Sequence, residues 1–109
     1  MTTKILAELN DKFRRREDPT LGIYTTTVGV KALEREKRYQ LTKLVQEFNC
    51  FTEGNDSYGE HDFGKVTMDE EDYFWKIDYY DLNMEYLSEN PAEESITKRV
   101  MTIMRSSEY

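Results

Sequence analysis

The chain has 109 residues, 38% hydrophobic and 34% charged, with 22 Asp/Glu against 15 Lys/Arg and a net charge of −7. That length supports one domain, residues 1–109, since two would each be too small to bury a core. No apolar run approaches the roughly 18–20 residues that cross a bilayer, charge arrives too early for a signal peptide, and a single cysteine, Cys50, leaves no internal disulfide; together these point to the cytoplasm.

The aromatic residues (one Trp, eight Tyr, five Phe) offset the low apolar share and argue against disorder. Charge is unevenly divided. Residues 1–49 are net basic, whereas residues 50–90 carry only Lys65 and Lys76 against a dozen carboxylates. Overall acidity weighs against direct binding of nucleic acid or a membrane surface, outside the small basic N-terminal region.

In chain order, Thr2 or Thr3 caps a helix to about Arg15, with Ile5, Leu6, Leu9 and Phe13 on one face. Glu8 with Lys12 and Asp11 with Arg15 form pairs four residues apart, and Arg14, Arg15 and Arg16 complement the helix dipole. Asp18-Pro19 ends the helix. Residues 23–28 are β-branched and predict a strand. A second helix is expected over about 31–48, with Leu41, Leu44, Val45 and Phe48 inward. Residues 50–64 form a glycine-punctuated loop, in which Cys50 reads as a buried small hydrophobe.

Residues 65–68 and 73–81 predict two strands joined by the acidic turn Asp69-Glu70-Glu71-Asp72, and residues 82–87 can extend as another. Residues 97–104 fit either period. Helical spacing groups Ile96, Val100, Ile103 and Met104, but the Val, Thr and Ile content favours a strand. The expected architecture is α+β: an antiparallel sheet of four or five strands with two helices packed on one face.

Alternation puts Tyr73, Trp75, Ile77 and Tyr79 on the core face of the aromatic strand, and Phe74, Lys76, Asp78 and Tyr80 on the other. The outer set reads as ring contacts around a Lys76–Asp78 pair, or as an exposed patch that anchors a protein. Glu60-His61-Asp62 holds the only histidine. It reads as a polar turn, with a metal or acid–base site drawing on Glu60, His61, Asp62 and Asp78 as the alternative. Asp62-Phe63-Gly64 matches a kinase magnesium tripeptide by chance, because the other kinase motifs are missing. No cofactor is called for by these residues.

Gly59-Glu60-His61-Asp62-Phe63-Gly64, Phe74-Trp75-Lys76-Ile77-Asp78-Tyr79-Tyr80-Asp81, Thr102-Ile103-Met104 and Glu108-Tyr109 carry a family likeness. With them the chain resembles the domain of unknown function 3768 family, small bacterial proteins often found on mobile elements, over most of its length from Leu9-Asn10-Asp11-Lys12-Phe13-Arg14. The resemblance supplies no catalytic residues. It implies a mobile-element setting, where many small accessory proteins disarm host defence.

With the acidity, this leads to a non-enzymatic protein-binding module, a nucleic-acid mimic of the anti-CRISPR or anti-restriction kind. It would face a partner's basic nucleic-acid-binding surface. Glu60, Asp62, Asp69, Glu70, Glu71 and Asp72 would supply anionic contacts, and Tyr58, Phe74 and Tyr80 apolar anchors. A small metal-assisted hydrolase or nuclease is the second reading. A self-associating module with the aromatic strand as homodimer seam is the third.

Overall fold

The computed structural model describes residues 2–109. Helix α1 (Thr2–Arg14) is followed by a short 3₁₀ turn, strand β1 (Gly22–Thr26) and helices α2 (Val28–Lys31) and α3 (Arg35–Gln46). After a long loop come strands β2 (Phe63–Met68), β3 (Glu71–Tyr80) and β4 (Lys98–Arg105), and a closing 3₁₀ turn over Ser106–Glu108.

The four strands form one sheet in the order β1-β4-β3-β2, confirming the α+β class. The sheet is mixed, not wholly antiparallel, because β1 runs parallel to β4. No hairpin links that pair. The chain leaves β1 through two helices and completes the β2–β3 hairpin before β4 pairs beside β1.

All three helices contribute to one core against one sheet face. Phe13 of α1, Val30 of α2, and Leu41 and Val45 of α3 meet Val66, Met68, Tyr73, Trp75, Ile77, Met101 and Ile103. The alternation read along β3 holds, with Tyr73, Trp75 and Ile77 buried. Gly64 pairs with Trp75, and a Cβ there would collide with the indole, so glycine makes room for the largest core side chain.

Several boundaries differ from expectation. Thr2 and Thr3 already lie inside α1, and Asp11 pairs with Arg14 at 2.8 Å, one residue nearer than the expected Arg15. The helix expected over 31–48 is α3, shortened to Arg35–Gln46 because Glu34 is extended. Helix α2, which lies against β4, precedes it and takes Val28 from the end of the expected strand, whereas α3 lies against β2. The β2–β3 turn is a two-residue hairpin loop with Asp69 and Glu70 both at positive φ, so β3 starts at Glu71 within the segment read as turn. Residues 82–87 form a turn closed by one bridge between Tyr80 and Leu87. Cys50 is exposed, because the aromatic stack of Phe48 and Phe51 turns inward without it.

Among the described residues, the three α-helices all pack on the core face and none covers the other sheet face. Lys76 and Asp78 pair there at 3.0 Å. Phe74 is half-buried between Phe63 and Tyr109, with ring centroids at 5.2 and 5.3 Å. Glu108 fastens this C-terminal segment, accepting hydrogen bonds from Thr27 Oγ1, the Gly29 N–H and the Arg105 N–H, which together hold its carboxyl below the usual range. Among the described residues, no helix is long and apolar enough to cross a membrane.

Candidate functional site

The end of the sheet where β2 begins, β3 ends and β4 begins is built on a buried polar network. On α1, Leu6, Ala7, Asn10, Phe13 and Arg14 make the inward stripe, so helical spacing carries an amide and a guanidinium into the core. Asn10 is fully buried. Its Nδ2 donates to the Glu60 carbonyl at 2.9 Å and to Tyr79 Oη at 2.8 Å, and its Oδ1 accepts from Arg99 Nε at 2.7 Å. Tyr79 donates in turn to Glu60 Oε1 at 3.1 Å, and burial pushes its phenol pKa far up. Arg99, also fully buried, donates through Nη2 to the Pro91 carbonyl at 2.7 Å and lies over the Tyr79 ring. Asn10 and Arg99 thus fasten α1, the loop before β2 and the loop after β3 together.

Beside it, Arg14 donates to Asp11 at 2.8 Å and to the Phe48 carbonyl at 2.9 Å, its guanidinium over Trp75 and Phe51. Burial lowers the pKa of both Arg14 and Arg99 from the ordinary value, and Asp11 opposes this at Arg14. Arg14 lies in the last turn of α1, as expected of a cation that complements the helix dipole, and it is in addition a core residue.

His61 closes this arrangement. Its Nδ1 lies 3.0 Å from one Asp11 oxygen, its Nε2 is 3.5 Å from Asp56, and its ring stacks on Phe51 at 3.8 Å and 1°. A general base needs one ring nitrogen turned to substrate, whereas both here face carboxylates of the same chain. His61 clamps the loop to α1. Glu60 is committed to Tyr79, and among the described residues no three His, Cys, Asp or Glu side chains are grouped to hold a metal ion. Glu60, His61, Asp62 and Asp78 thus form no ligand set.

The acidic residues separate into two groups, at opposite ends of the β2–β3 hairpin. At the turn, Asp69 pairs with Lys37 at 2.6 Å, Glu71 with Arg105 at 2.7 Å, and Asp72 accepts from Thr67 at 2.8 Å. Asp56, Glu60, Asp62 and Asp78 lie at the other end, beyond the six residues of β2, or roughly 20 Å at the usual strand rise. Glu60 and Asp62 therefore stand apart from Asp69, Glu70, Glu71 and Asp72, with which they were expected to act. The loop between β3 and β4, which leaves and rejoins the sheet at this same end, adds Asp81, Glu85, Glu89, Glu93 and Glu94. Among the described residues, Glu60, Asp62 and these five have no cationic side chain within 4 Å.

Of the expected apolar anchors, Tyr58 is exposed and Tyr80 half-buried, whereas Phe74 is engaged by Phe63 and Tyr109. Sequence reasoning passed over Asn10 and Arg99. Their signals were positional: Asn10 sits on the stripe of Leu6 and Phe13, and Arg99 in alternation with Met101 and Ile103.

Burial, reinforced by Glu60, Asp56 and Asp78, holds the Asp62 carboxyl above its usual range. A raised folded-state value means that folding favours the protonated form, so stability falls as pH rises through that window and stays lower above it. Asp62→Asn should raise the melting temperature at pH 7, and the gain should disappear below pH ~4, as thermal scans across pH will read.

No curated protein and no solved structure matches the chain. The sequence profile described as "Protein of unknown function (DUF3768)" matches residues 26–108, leaving α1 with Asn10, Asp11 and Arg14 outside the matched stretch. The chain belongs to the DUF3768 family.

Proposed function

We propose that this chain is a small acidic protein-binding module that occupies the basic, nucleic-acid-binding surface of another protein, as an inhibitor of a CRISPR or restriction complex would. The observation that carries this reading is the acidic end of the sheet. Carboxylates of two loops and a strand end stand largely free of cations, on a frame fixed by buried Asn10 and Arg99. A rigid array of negative charge suits a cleft shaped for phosphates, and its association depends on salt in the same way. The partner is a protein, with no direct contact to nucleic acid or membrane, and exposed Cys50 suits a reducing cytoplasm. A phage or plasmid setting belongs to the same proposal.

The test is capture from nuclease-treated host lysate by the immobilised full chain at low and high salt. Expected is capture of a nucleic-acid-binding protein that high salt elutes and added duplex DNA displaces. Capture indifferent to both salt and DNA would contradict the proposal.

A further inference from the structure

The loop between β3 and β4 adds an apolar surface to the acidic end. Residues 81–97 contain Asp81, Glu85, Glu89, Glu93 and Glu94 and no Lys or Arg. They also hold Leu82, Tyr86 and Leu87 out to solvent, at 60%, 72% and 74% exposure. Tyr86, Leu87 and Ile96 line a cleft of about 310 Å³ together with Asp81 and Glu89. Single exposed apolar residues are ordinary, but a group lining one cleft beside carboxylates has the anatomy of an interface.

The frame beneath them is fixed. The Asp81 N–H donates to the Tyr86 carbonyl at 2.8 Å, the Glu85 N–H to Asp81 Oδ1 at 3.0 Å, and the Ser88 N–H to the Tyr79 carbonyl at 3.1 Å. Arg99 anchors the far side through the Pro91 carbonyl. Side chains presented on such a frame lose little backbone freedom on binding.

On the basis of the proposed function, we infer that this cleft seats an apolar side chain from a Lys/Arg-rich amphipathic segment of the partner protein, whose cations meet Asp81, Glu85 and Glu89. Charge selects the occupant. A second copy joined symmetrically through the cleft would set carboxylate against carboxylate, and an anionic lipid surface is repelled in the same way.

The experiment uses the isotope-labelled full chain, titrated by NMR with three synthetic probes: an amphipathic Lys/Leu peptide, polylysine of equal charge, and a Glu/Leu peptide. The Lys/Leu peptide should bind about tenfold more tightly than polylysine, with shifts centred on residues 81–89 and 96. Tyr86→Ser with Leu87→Ser should remove that advantage and leave polylysine binding unchanged. Both side chains stand mostly in solvent, and the same spectra report that the fold persists.

Equal affinity for the Lys/Leu peptide and polylysine, or shifts centred elsewhere, would overturn the inference and leave the acidic-module reading standing. Failure of both cationic probes would overturn both, and comparable binding of the Glu/Leu peptide would overturn the inference. So would sedimentation of the protein alone showing a dimer that Leu87→Ser disperses, which assigns the cleft to a second copy.

Discussion

Asn10→Ala should cost about 3–5 kcal/mol of folding stability, a large part of the roughly 5–15 kcal/mol expected of a domain. The side chain is small, so lost packing is the lesser part. What the substitution removes is the oxygen facing Arg99 Nε at 2.7 Å, together with the donor shared by Glu60 and Tyr79. A guanidinium already held at a desolvation penalty would then lack its closest side-chain partner, since its remaining hydrogen bond is to the Pro91 carbonyl and Nη1 has no partner among the described residues. Urea unfolding should show the midpoint falling with an unchanged slope. Combining it with Arg99→Met should recover part of the loss, because both ends of the buried pair are then apolar, and the cycle should return a coupling of about 2 kcal/mol. Simple additivity would mean that the two side chains do not depend on each other.

Trp75→Ala should have a comparable effect, about 3–5 kcal/mol, for a different reason. The indole is fully buried at the centre of the sheet, edge-on to Phe48 at 5.5 Å and Phe51 at 6.2 Å, with the Arg14 guanidinium over it at 5.2 Å. Removing it opens a cavity that three elements border, and exposes a buried cation to that cavity. Trp75→Phe should cost far less, about 1–2 kcal/mol, because the indole N–H has no hydrogen-bond partner among the described residues to lose. Chemical denaturation of the two variants checks the ratio. Equal losses would show that the N–H is satisfied in solution and that polar satisfaction, beyond volume, holds Trp75 in place.

The extent to which the sequence revealed this molecule varied by element, for physical reasons. The aromatic strand was legible because a period of two is imposed by backbone geometry, and Tyr73, Trp75 and Ile77 obey it. The parallel pairing of β1 with β4 was not, because Gly22 and Arg99 are partners that no local pattern connects. Leu82, Met84 and Tyr86 alternate like a strand, yet Asp81 captures the Glu85 N–H and Met84 adopts positive φ, so a local turn wins over the ladder. Charge places residues such as Arg14 and Arg99 at the surface by default. Their positions on apolar stripes outweighed it.

The candidate site was legible as a composition but not as a place. The excess of carboxylates between residues 50 and 90 is plain in the chain. Only the hairpin register shows that Asp69–Asp72 stand apart from Glu60, Asp62 and Asp78, and that Lys37 and Arg105 already compensate two of the turn residues.

Lysate capture at low salt, repeated with two charge-removed variants, decides whether the sheet end is the binding surface. One carries Asp62→Asn, Asp78→Asn, Asp81→Asn and Glu85→Gln at the sheet end, and the other Asp69→Asn, Glu70→Gln and Asp72→Asn at the hairpin turn. The first should lose the DNA-displaceable partner while remaining folded, and the second should retain it. Retention by the first variant, or loss only in the second, would contradict this placement of the surface.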